Sequence, residues 1–201
     1  MNKSIKYESL KIRDIEMPEK SILDEEALMG ESIKLKFLKI RDVEIPKKSI
    51  KTDAGIDFFV PTYNIDFINA LTKQNEGRVT IVNDGEEMFI EIPARSQIKM
   101  PLGIKGVIPT GWAVVFHNKS GIATKKRLVV GAHVIDSEYR EEWILNLHNL
   151  SDDNVHIRFG QKIVQGLVVN VPPVDILEIT AEEFATYLDT ERKGGFGSTG
   201  V

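Results

Sequence analysis

Near the C-terminus, Arg192-Lys193-Gly194-Gly195-Phe196-Gly197-Ser198-Thr199-Gly200 gathers the groups a polyphosphate needs. Glycine lacks Cβ, so its backbone N–H groups can approach and surround an anion. Ser198 and Thr199 add hydroxyl donors, Arg192 and Lys193 add positive charge, and Phe196 offers a flat face for stacking. A run this rich in glycine has no structure of its own and orders only when something binds it. The plain alternative is a functionless terminus, the usual meaning of a Gly-rich tail. An arginine, an aromatic ring and two hydroxyls within so few residues shift the balance toward an arm that closes over a ligand. No Gly-Lys-Ser/Thr opens a helix here, so this is not a P-loop.

Three other segments could carry chemistry. In His117-Asn118-Lys119-Ser120-Gly121, Ser120 and Gly121 can donate to phosphate and Lys119 supplies charge, although the segment alone reads equally as a basic turn. In Gly131-Ala132-His133-Val134-Ile135-Asp136-Ser137-Glu138-Tyr139-Arg140, an acid directly follows an apolar strand at a turn. Asp136 could orient and deprotonate a water, and Tyr139 could pack on a sugar. The bland reading is a surface hairpin with solvated acids. In Asp53-Ala54-Gly55-Ile56-Asp57, Asp57 enters an otherwise apolar strand, and a buried acid must be paired or hydrogen-bonded. On physical grounds alone that segment is structural. His133 and His148 lack partners at zinc-ligand spacing, and the chain has no cysteine, so both read as ordinary core or surface histidines.

The elements that hold these segments belong to a soluble globular class. The chain has 201 residues, of which 42% are hydrophobic and 28% charged. No apolar run is long enough to span a bilayer. Met1 to Lys6 leads into a charged stretch and not into an apolar signal sequence. The absence of cysteine excludes disulfides and fits a reducing cytosol, so a cytoplasmic location is expected. A net charge of −4 argues against a nucleic-acid coat, and a polyanionic ligand would need a local basic cluster.

Residues 5–22 and 33–50 are a duplication: 12 of 18 aligned positions are identical. Two copies are too few for a solenoid, so the duplicated unit reads as a first strand. Ile33, Leu35 and Phe37 alternate with lysines in the second copy, which assigns the strand to residues 33–40. Residues 1–31 are then an N-terminal extension, 32–178 the β domain and 179–201 the C-terminal arm. Short strands follow at 56–60, 79–82, 88–92, 97–100, 112–116, 128–130, 143–147, 155–157 and 163–171. Asn83-Asp84-Gly85 signals a hairpin. Helices are expected over 66–73 and from a capping box at Thr180 and Glu183 to about Leu188. Regular short strands with turn residues between them indicate an all-β sandwich or barrel.

Taken in order with Gly160-Gln161-Lys162-Ile163-Val164-Gln165, the four segments above resemble the five motifs of the trimeric dUTPase family. The likeness spans about residues 32–201, with the third and fifth motifs the most specific. It implies an all-β, jelly-roll-like (β-clip) barrel of short strands with a flexible Gly-rich C-terminal arm. It also implies a homotrimer with shared active sites that hydrolyses dUTP to dUMP and pyrophosphate. Asp136 would activate the water that attacks the α-phosphorus. Backbone groups of Ala132, Val134 and Ile135 would hold uracil, and Tyr139 would lie under the deoxyribose. Lys119, Ser120, Gly121 and Gln165 would hold phosphates, while Asp53, Gly55 and Asp57 shape the first motif. From a neighbouring subunit, Phe196 would stack on uracil, and Arg192, Gly197, Ser198 and Thr199 would close on the terminal phosphates. Mg²⁺ is the implied cofactor, held through triphosphate oxygens and water and not directly by the protein.

The chain departs from the family pattern in four places. Lys119 stands for the usual arginine, keeping charge without the planar fork. Arg192 is one residue closer to Phe196 than is usual, so Lys193 could share its task. His133 and Glu141 occupy usual glycine positions. Residues 62–90 are longer than the usual connection and read as an insertion, which with residues 1–31 could carry a protein partner. Neither membrane nor nucleic acid is expected as a partner. The alternatives are a dUTP-sensing regulator of the same fold and a related dCTP deaminase.

Overall fold

Strand alternation and turn chemistry account for most of what a computed structural model of the chain describes, residues 32–188. The chain divides between Lys34 and Leu35, and the description concerns the part from Leu35 onward. The Gly-rich tail and the first copy of the duplication lie outside the described residues.

Twelve short strands form four antiparallel sheets. β1 (Lys36–Lys39) pairs with β6 (Ile104–Val107). β5 (Gln97–Pro101), β10 (Ile144–Asn149) and β8 (Leu128–Val130) form a second sheet with β10 in the middle. β4 (Met88–Ile92) lies between β11 (Val155–Arg158) and β3 (Thr80–Asn83). The largest sheet has the order β2 (Ile56–Phe59), β12 (Lys162–Asn170), β7 (Trp112–Asn118), β9 (Val134–Ile135). The architecture is all-β and jelly-roll-like, as expected. Its described strands are shared among four sheets and do not close into one continuous barrel.

The core explains one strand that the sequence pattern hid. Trp143, Phe58 and Phe116 are fully buried. Phe58 stacks on Trp143 at 5.6 Å between ring centroids and meets Phe116 edge-on at 5.2 Å. Phe37 of β1 meets Trp143 edge-on at 5.3 Å. The inward face of β6 carries Ile104 and then Gly106, where a Cβ would come within 2.4 Å of Trp143 Cζ2. The indole takes the space a side chain would fill, so β6 shows no apolar alternation.

Capping fixes the helices. α1 (Ile65–Gln74), predicted over 66–73, begins at Asn64, whose side chain accepts from Phe67 N at 2.9 Å. Its buried residues, Phe67 and Leu71, are four apart and share one face. Asn75 at its end donates from Nδ2 to Lys99 O and accepts from Lys99 N, both at 2.8 Å, which fastens the helix to β5. α3 (Ala181–Ala185) starts at Thr180, whose hydroxyl accepts from Glu183 N at 3.2 Å. The short helix α2 (Ser120–Lys126) is new: apart from Ile122, which packs against the core, its residues are small, polar or basic and none is fully buried, so it shows no periodicity to read. The β3–β4 turn is a four-residue loop closed by Asp84, which accepts from Glu86 N and Glu87 N. Among the described residues, no helix is long and apolar enough to cross a membrane.

Gly106→Ala is expected to retain the fold but lose about 1–3 kcal/mol of stability, because the buried indole cannot yield. Denaturant unfolding of the two proteins measures the difference.

Candidate functional site

Three of the sequence motifs meet on the largest sheet. β12 places Gln165 opposite Asp57 on one side and His117 on the other. Gln165 Nε2 donates to Asn118 O at 2.9 Å, which ties the fourth motif to the second. Its amide lies over Gly55: a Cβ on Gly55 would come within 2.5 Å of Gln165 Oε1. Asp53 builds the turn before β2 by accepting from Ile50 N at 2.9 Å. Ser120 and Gly121 start α2 and are exposed, and Lys119 immediately precedes them.

Asp57 is the buried acid that the sequence requires to be paired. Only 5% exposed, it accepts from Lys119 Nζ on Oδ1 and from Lys162 Nζ (2.8 Å) and Ser49 Oγ (2.8 Å) on Oδ2. Burial pushes its carboxyl up, but hydrogen bonds from Lys119, Lys162 and Ser49 outweigh this and lower it to about 2. Two ammonium groups around one carboxylate leave a local surplus of positive charge beside Ser120 and Gln165. Sequence reading missed Ser49 and Lys162. Lys162 sits inside the fourth motif and Ser49 is one of the residues repeated in the duplication (as Ser21), which are the two signals that could have found them.

The third motif lies elsewhere on the same sheet. Val134 and Ile135 pair with Val115 and Val114 of β7, and Phe116 N donates to His133 O at 2.8 Å. His133, standing at a usual glycine position, also places its Nδ1 2.6 Å from Phe116 O. Ala132 and Val134 are exposed, whereas the side chain of Ile135 is buried, so only the backbone of Ile135 can meet a ligand. Asp136 and Tyr139 line an open cleft of about 510 Å³ with Gly111, Trp112, Ala113, Ser137, Glu138 and Val171. The Asp136 carboxylate has no hydrogen-bond partner among the described residues, while Tyr139 Oη donates to Glu142 O at 3.0 Å.

These two groups do not meet within one chain. Asp136 is level with Ala113 at the start of β7, and Lys119 follows the end of that strand. Six residues of extended chain separate them by roughly 20 Å. The segment after β12 is also unfinished on its own. Residues 171–180 are exposed throughout, with Val174, Ile176 and Leu177 at 74%, 93% and 79%. Apolar side chains this open are unusual on a chain that stands alone. Arg192, Phe196, Gly197, Ser198 and Thr199 lie outside the described residues.

Among the described residues, no group of three or more His, Asp or Glu is placed to hold one ion.

Comparison with known proteins gives one family. The dUTPase family model matches residues 86–200, more than half the chain. The deoxyuridine 5'-triphosphate nucleotidohydrolase of Debaryomyces hansenii is 36% identical over 127 residues, covering 61% of this chain and 78% of its own length. That of Arabidopsis thaliana is 33% identical over 111 residues, and the match spans 55% of this chain and 64% of the relative. Among solved structures, the dUTPase of Staphylococcus bacteriophage 80alpha with dUPNHPP superposes with a TM-score of 0.59 at 18% identity, over 86% of this chain and 100% of that one. The last likeness bears on fold alone.

The Asp57 cluster predicts a specific acid dependence. A carboxyl held at about 2, against 3.8 when free, adds stability that is full above pH 4 and is lost as pH falls toward 2. Asp57→Asn is expected to be less stable than the wild type by about 2 kcal/mol at neutral pH, with the gap closing across that acid window. Urea unfolding at a series of pH values measures it, and a gap independent of pH would contradict the ionised pairing.

Proposed function

The chain belongs to the dUTPase family, and from that premise we propose that it hydrolyses dUTP to dUMP and pyrophosphate in sites that copies of the chain share. The observation that carries the reading is the cleft lined by Asp136 and Tyr139, in which the Asp136 carboxylate has no hydrogen-bond partner among the described residues. Uracil is held by backbone groups of Ala132, Val134 and Ile135, and Tyr139 packs under the deoxyribose. Asp136 takes a proton from water as the oxygen of that water bonds to the α-phosphorus. The bond from the α-phosphorus to the bridging oxygen breaks, and pyrophosphate leaves with the electron pair.

Phosphate binding comes from a second copy. Lys119, Ser120, Gly121 and Gln165 supply donors, and Lys162 with Asp57 and Ser49 keeps Lys119 in place. The separation of roughly 20 Å within one chain and the exposed apolar run at Val174, Ile176 and Leu177 support a ring of three copies. The arm beyond that run brings Arg192, Phe196, Gly197, Ser198 and Thr199 to a neighbour's site. Mg²⁺ carried on the triphosphate would supply charge neutralisation at the phosphate oxygens. Positioning and charge neutralisation therefore account for most of the rate.

Pyrophosphate release from dUTP, dCTP, dTTP and UTP, with and without Mg²⁺, tests the reading. Release from dUTP alone, dependent on Mg²⁺, is expected. Tight dUTP binding without release would favour a dUTP-sensing regulator acting through residues 1–31 or 62–90. Ammonia released from dCTP would favour the deaminase. Asp136→Asn is expected to lower kcat roughly 10²-fold or more while dUTP affinity stays near that of the wild type. Single-turnover kinetics with equilibrium binding separates the two effects.

A further inference from the structure

Tyr139 is held from below by a chain of contacts that reaches the insertion helix. Its hydroxyl donates to Glu142 O at 3.0 Å. The Glu142 carboxylate accepts from Arg41 Nε at 3.1 Å, from a terminal nitrogen of Arg41 at 3.0 Å and from Gly103 N at 2.9 Å. Arg41 also pairs with Asp66 in the first turn of α1. Arg41 and Glu142 are mostly buried, with side chains 14% and 16% exposed, whereas Asp66 is 67% exposed. The hydrogen bonds that Arg41 donates to Glu142 hold its guanidinium above its ordinary value against the effect of burial. The next residue, Trp143, is locked in the core and exchanges backbone hydrogen bonds with Leu102 and Ile104.

This arrangement does more than join two loops. A bidentate arginine–carboxylate pair fixes both the position and the plane of its partner. Glu142 is thus set by its side chain through Arg41 and by its backbone neighbour Trp143. The carbonyl that receives the Tyr139 hydroxyl therefore has little freedom. Neither Arg41 nor Asp66 reaches the cleft, so any effect they have on a ligand passes through Tyr139.

We propose that Arg41 and Glu142 are positioning residues for Tyr139, and that helix α1, through Asp66, sets how firmly they hold it. The inference deepens the reading in which Tyr139 lies beneath the sugar, and it makes the insertion over 62–90 a determinant of sugar selection.

The test uses the full-length chain with 3-fluorotyrosine at its four tyrosines. The ¹⁹F resonance of Tyr139 is assigned with Tyr139→Phe. Arg41→Gln and Asp66→Asn are expected to move or broaden that resonance, and Arg41→Lys, which keeps charge without the fork, to give an intermediate change. In parallel, the preference for dUTP over UTP in kcat/KM is expected to fall on the order of tenfold in Arg41→Gln and by less in Asp66→Asn. Should Arg41→Gln fail to fold, the exposed Asp66→Asn carries the test. A folded Asp66→Asn or Arg41→Gln whose Tyr139 resonance and dUTP preference both match the wild type overturns the inference. Failure of the wild type to hydrolyse dUTP would instead count against the proposed activity, since the ¹⁹F readout needs no substrate.

Discussion

One seven-residue strand, β7, sets the spacing on which the site depends. Its inward side chains, Val114 and Phe116, are fully buried. It is paired along its whole length with β12 and, at Val114 and Val115, with β9. A strand so fixed cannot bend to bring its ends together. Asp136 and Tyr139 are held at one end and Lys119, Ser120 and Gln165 toward the other. In the proposed reading the site is therefore a matter of assembly: the strand that makes each half rigid also keeps the halves of one chain apart.

Electrostatics makes the proposed phosphate half depend on the pairing of one buried acid, Asp57. Lysine in place of the family's arginine loses the fork that would grip a carboxylate or phosphate at two points. The structure replaces that geometry with numbers, drawing two lysines and a serine onto Asp57. The buried carboxylate is stabilised by this surplus of donors. The same surplus leaves positive charge facing the region where Gln165 lies over Gly55. The cleft of Asp136 and Tyr139, the proposed nucleoside half, uses the opposite device. There a true bidentate pair, Arg41 with Glu142, stands behind an aromatic ring and contributes no charge to the cleft.

What could be read from the sequence follows from which signals are local. The capping box at Thr180, the α1 periodicity through Phe67 and Leu71, and the apolar runs around Phe58 and Ile90 each need only a few neighbouring residues, and each element is present. That Asp57 had to be paired was also legible, since burial of a lone carboxylate is too costly. The identity of one partner was not, because Ser49 is brought there by backbone pairing between Lys47 and Asp57. β6 was hidden since Gly106 faces Trp143 from a distant part of the chain. The role of Arg41 was equally invisible: its partners Asp66 and Glu142 are 25 and 101 residues away. The motifs themselves were readable as an ordered set, but their division between the two ends of β7 is a property of the sheet.

The central claim, that a working site takes its two halves from different copies, is tested by complementation. Asp136→Asn disables one half and Gln165→Ala the other. The two purified variants are unfolded together, refolded as a mixture and assayed for pyrophosphate release from dUTP, beside each variant refolded alone. A shared site predicts that the mixture recovers a sizeable fraction of wild-type turnover while each variant alone stays inactive, since some sites then combine two intact halves. Turnover in the mixture no greater than the sum of the separate variants, despite mixed oligomers, would contradict the account and place the whole site within one chain.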